Sequence, residues 1–106
     1  MILSNYAKFL QNHNDELLTK KTTSLKLLQK WLITVINKNP KTNTEKIIHK
    51  EIMYAQNKNG DYVIIGKSES GRVLVSALIK FAKSYDNHIH SKWLEMTEKT
   101  FHKSND

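Results

Sequence analysis

Pro40 is the one proline in the chain, and it stands between the strongest helical periodicity in the sequence and a helix-start signal. It therefore forces two helices where one longer helix would otherwise run. Leu25, Leu28, Leu32 and Val35 recur at steps of three and four, with Leu27, Trp31 and Ile36 widening the apolar side, as a well-buried helix requires. Proline disfavours helical backbone in the residue before it, so this helix ends near Asn39. Thr42-Asn43-Thr44-Glu45 then fits a capping box, in which threonine and glutamate side chains reciprocally satisfy two orphan N–H groups. A second helix begins there, with Ile47, Ile48 and Ile52 expected to face inward.

Ile52 to Gln56 reads either as a continuation of that helix or as extended chain, and a hairpin is favoured. The reason is Asn59-Gly60, followed by the β-branched return run Tyr62-Val63-Ile64-Ile65. Gly66 to Gly71 forms a loop. Val73, Leu74, Ala77, Leu78, Phe81, Ala82 and Tyr85 then repeat with helical period, against a competing reading of Arg72 to Ser76 as a third strand. Asp86-Asn87-His88 is expected to separate this helix from a final amphipathic one with Ile89, Trp93, Met96 and Phe101 inward.

Before the proline-terminated helix, Leu3 to Gln11 carries Tyr6, Phe9 and Leu10 on one helical face, and Asn12 to Asp15 reads as a break. A further turn is expected around Glu16-Leu17-Leu18, and Ser24 is the natural N-cap of the next helix. The expectation is one α+β domain over residues 1–106, mainly helical with four to five helices and one β-hairpin, arranged like a winged helix. Leu, Ile, Val and Phe make up about a quarter of the 106 residues, enough to support a folded core. No run is long and apolar enough for a membrane span, and the first residues lack the basic and apolar segments of a secretory signal. With no cysteine, disulfides, thiolate metal sites and cysteine nucleophiles are excluded, and a cytoplasmic location is expected.

The formal charge is +7, from 17 basic against 10 acidic residues. Such an excess attracts phosphate backbones or acidic protein surfaces. An AT-rich genome offers a plainer origin, because all basic residues except Arg72 are lysines and asparagine is abundant. A phage or plasmid gene would suit that composition. Distribution says more than the total. Leu17 to Thr44 holds six lysines and no acid, and Ser70 to Tyr85 holds Arg72, Lys80 and Lys83, again without a carboxylate.

Catalytic patterns are near misses. Gly66 and Gly71 have the spacing of a phosphate-binding loop, but Arg72 and Val73 stand where lysine and a metal-binding hydroxyl are needed. Simple anion affinity at that loop, with Lys67 and Arg72 beside a helix start, is the milder alternative to a plain turn and N-cap in which glycine is chosen for backbone freedom. Gly66-Lys67-Ser68-Glu69-Ser70 lacks the closing glycine of a nucleophile elbow. His88 and His90 form a pair too small for a metal site, and His102 adds no standard spacing. No enzyme activity, metal or cofactor is expected.

Nucleic-acid binding, to DNA more than RNA, is the favoured function. Two helices joined at Pro40 and followed by a hairpin match a winged version of the helix-turn-helix order, in which the capped helix enters the major groove. Lys38, Lys41, Asn43, Thr44, Lys46, His49 and Lys50 would lie on or near the groove-facing side, and Lys58 at the hairpin tip would touch phosphate. Lys67, Arg72, Lys80 and Lys83 would add backbone contacts, with Arg72, Ser76, Lys80 and Lys83 sharing one helical face. The rival is a small inhibitor or adaptor for an acidic protein surface, in which Trp31 and Trp93 would be anchors unless they pack in the core. A homodimer through the last helix is also expected.

Overall fold

The computed structural model describes the backbone of residues 2–105 and the side chains of residues 2–91. Helices α1 (Ile2–Gln11), α2 (Asn14–Leu18), α3 (Ser24–Ile36) and α4 (Asn43–Glu51) come first. Strands β1 (Ile52–Gln56) and β2 (Tyr62–Gly66) follow, and α5 (Glu69–Asn105) ends the chain. The expected α+β architecture, helices with one antiparallel hairpin, is what is observed. One apolar cluster joins Tyr6 and Leu10 of α1, Leu17 of α2, Leu28 and Leu32 of α3, Ile48 of α4, and Leu78 and Ala82 of α5.

Caps and turns set the boundaries. α3 is capped by Thr23, whose hydroxyl accepts from the Lys26 N–H. Ser24, the expected cap, is instead the first helical residue, fully buried, and donates its hydroxyl to Asp86 of α5 at 2.6 Å. The capping box at α4 forms as read, with Thr42 and Glu45 each accepting from the other's backbone. α2 ends with Lys20 in the left-handed region at φ 59°. There the Lys21 N–H reaches the Glu16 carbonyl and the Lys20 N–H the Leu17 carbonyl, a Schellman closure.

β1 starts directly after α4, so Ile52 to Gln56 is strand and not helix. Met53 pairs with Ile65 and Ala55 with Val63. At the turn the Asn57 side-chain oxygen accepts from the N–H groups of Asn59 and Asp61, and Gly60 takes φ +85°, which glycine adopts without steric cost. Side chains alternate across the hairpin. Ile52 and Ile64 turn toward the core, whereas Met53, Val63 and Ile65 remain exposed.

In the C-terminal half the helical reading holds over the competing strand, and the expected break is corrected. Arg72 to Ser76 is helical, since Val75 and Leu78 pack into the core at helical spacing. α5 is one helix of 37 residues, with no break at Asp86-Asn87-His88. Neither proline nor glycine stands there, and the Asp86 carboxylate does not turn back on its own backbone. It crosses to α3 and accepts from both the N–H and the hydroxyl of Ser24. Nearby, the buried Tyr6 hydroxyl donates to the Ser24 carbonyl at 2.7 Å. Burial, and secondarily the charge of Asp86, raises the Tyr6 phenol well above its ordinary value.

Trp31 is a packing residue, stacked on Tyr6 with ring centroids 5.5 Å apart and on Phe9 at 6.3 Å. Trp93, Met96 and Phe101, expected to face inward and to offer a dimer surface, lie outside the described side chains. Val73, counted on the apolar face of its helix, is instead 66% exposed. Among the described residues no helix is long and apolar enough to cross a membrane.

Candidate nucleic-acid interface

The inward side chains of α4 are each taken by a different neighbour, and this fixes which face remains open. Thr44 accepts from the Asn5 amide of α1 at 2.7 Å. Glu45 is held by the Lys38 ammonium and by the N–H groups of Lys41 and Thr42. The Lys38 interaction first, then those two N–H groups, lower its carboxyl to about 2. His49 Nε2 lies 2.7 Å from the Val35 carbonyl of α3. Ile48 is fully buried.

What is left outward is Asn43, Lys46, Ile47 and Lys50, all exposed. Their steps of three, one and three place them on one face of the helix. Ile47 was expected inward but is 47% exposed. The helix is too short and too firmly pinned through Ile48 to bury both isoleucines, and the spacing of Ile47 from Asn43 carries the signal for its outward position. Of the expected interface residues, Asn43, Lys46 and Lys50 thus converge, whereas Thr44, His49 and Lys38 serve internal contacts. Lys41 and Lys58 are exposed in the connection before α4 and at the hairpin tip.

The glycine loop has a structural role in place of the alternative anion affinity. Its resident anion is Glu51 at the end of α4. The Glu51 carboxylate accepts from the hydroxyls of Ser68 and Ser70 at 2.7 and 2.8 Å, and these bonds, Ser68 first, lower its carboxyl below the usual range. Ser68 also accepts from the Gly71 N–H. A Cβ on Gly71 would lie 2.3 Å from the Glu51 carbonyl oxygen, so glycine is required by close backbone approach. Lys67 donates to the His49 carbonyl at 2.8 Å.

Arg72, Lys80 and Lys83 come together as their spacing implies. They line a groove of about 560 Å³ between α5 and β2. Among the described residues the only lysine or arginine with a carboxylate within 4.0 Å is Lys38. The cations on both surfaces therefore keep their field. No group of three or more metal-ligating side chains occurs among the described residues. No protein-family model, curated protein or solved structure matches the chain.

Proposed function

We propose that the chain is a non-catalytic DNA-binding domain that presents α4 to the major groove, with the β1–β2 hairpin as a wing. The observation that supports this most is the outward face of α4. Asn43, Lys46, Ile47 and Lys50 share it without a carboxylate partner among the described residues, and the other side chains anchor the helix to α1, α3 and α5. An asparagine can pair with adenine through two hydrogen bonds, an apolar side chain can touch the thymine methyl, and lysines can take flanking phosphates. Lys58 on the wing adds a phosphate contact. The lysine-heavy makeup favours affinity that depends strongly on salt and reads little sequence.

Titration of duplex and single-stranded DNA at two salt concentrations tests the reading. Duplex binding at low salt that falls steeply as salt rises supports it, and no binding at low salt refutes it. The alternative, an adaptor or inhibitor for an acidic protein, is favoured by the exposed apolar face of Met53, Val63 and Ile65 on the hairpin. Homodimerisation and a phage or plasmid origin remain parts of the proposal that rest on sequence alone.

A further inference from the structure

The two ends of the hairpin fix which backbone groups of β2 face away from β1. The Asn57 N–H bonds the Asp61 carbonyl at 2.9 Å, and the Lys67 N–H bonds the Glu51 carbonyl at 2.8 Å. Bonded and non-bonded pairs alternate in an antiparallel ladder, so Met53 with Ile65 and Ala55 with Val63 are the bonded pairs between them. Tyr62 and Ile64 consequently direct their N–H and C=O groups outward. For Tyr62 this is visible in the structure, because its carbonyl accepts from the Gln29 amide of α3 at 3.3 Å. Ile64 has no such partner among the described residues.

The groove beside α5 follows that outward edge. Ile64 and Ile65 point to opposite faces of the hairpin, yet both line it, together with Gly66. Across from them Val75 and Ile79 give it an apolar wall, and Arg72, Lys80 and Lys83 give it positive charge. An open strand edge is a template for another strand. A second copy of this chain would bring the same three cations against these three, and like charges in close contact cost binding. A phosphate backbone would satisfy the charge and could accept from the Ile64 N–H, but it offers no donor to the Ile64 C=O and no apolar surface for Val75 and Ile79.

We propose that the β2 edge binds an extended acidic segment of a partner protein as a third strand. Backbone hydrogen bonds to Ile64 give affinity, β-branched side chains of the segment lie on Val75 and Ile79, and its carboxylates meet Arg72, Lys80 and Lys83. The inference is independent of what α4 contacts.

A labelled hexapeptide of alternating glutamate and valine, added to the full chain, tests it by fluorescence polarisation and by hydrogen exchange at the Ile64 amide. The expected result is saturable binding with slowed exchange at Ile64. It should weaken by about tenfold or more, equivalent to about 1.4 kcal/mol, when the peptide backbone is N-methylated, when lysine replaces its glutamates, or in Lys80→Glu/Lys83→Glu with helical content intact. Several results would overturn it: no binding, equal binding of the N-methylated peptide, protection of Ile64 by self-association without peptide, or protection by duplex DNA instead of peptide.

Discussion

Asp86 accepts two hydrogens from Ser24, one from the backbone N–H and one from the hydroxyl, and so ties the middle of α5 to the first residue of α3. Because the Ser24 carbonyl in turn accepts from Tyr6, three helices meet at one residue. Replacing Asp86 by alanine leaves the buried Ser24 groups without that acceptor and is expected to cost about 1–3 kcal/mol. Asp86→Asn, which keeps one acceptor, should lose less. Urea unfolding of the two variants measures the difference, and equal stability of Asp86→Ala and wild type would mean the contact carries no energy.

Glu45 contributes to the acid side of the stability profile, alongside Glu51, whose carboxyl is also lowered. The folded-state Glu45 carboxyl lies at about 2, below its ordinary 4.5, so the carboxylate form favours the fold. That contribution is present above pH 4.5 and is lost as pH falls toward 2. Glu45→Gln should therefore be less stable than wild type at neutral pH and nearer to it at pH 2. Denaturant midpoints recorded across that window read the convergence directly.

Lys20 occupies a left-handed conformation that its side chain disfavours. Glycine removes that strain but loosens the unfolded chain, and the first effect is the larger at a Schellman position. Lys20→Gly is expected to raise stability by up to about 1 kcal/mol. A rise in thermal midpoint checks it, and a fall would mean the Lys20 side chain has a stabilising contact of its own.

Gly71→Ala should be strongly destabilising, because the new methyl would meet the Glu51 carbonyl oxygen and Gly66 Cα at 2.3 and 3.2 Å. Neither is the end of a flexible side chain. The joint between hairpin and α5 would have to open, and loss of Lys67 amide protection, which depends on its bond to Glu51, should accompany the lower midpoint.

Features written in local chemistry were legible in the sequence. The Thr42–Glu45 capping box and the Asn59-Gly60 hairpin each need only residues close in sequence and appear as read, whereas α3 stops at Ile36 with Asn37 as its C-cap, short of the Asn39 end expected from Pro40. The errors arose where a distant residue takes over a local signal. Asp86 looks like a helix breaker until Ser24 receives its carboxylate, and Gly66 to Gly71 looks like an anion loop until Glu51 fills it. Within the candidate interface, spacing alone placed Asn43, Lys46 and Lys50 on one face and Arg72, Lys80 and Lys83 on another. It could not remove His49, Thr44 and Lys38 from the list, because their partners Val35, Asn5 and Glu45 are chosen by tertiary packing and side-chain reach.

The most direct test of the α4 reading is a duplex-DNA titration comparing Lys46→Glu/Lys50→Glu with Lys80→Glu/Lys83→Glu, two variants that change net charge equally. The first pair is expected to weaken binding by more than about tenfold and to lower the slope of log affinity against log salt by about two, with the second pair closer to wild type. Equal losses in both variants, or loss confined to Lys80 and Lys83, would contradict the assignment of α4 as the helix that meets DNA.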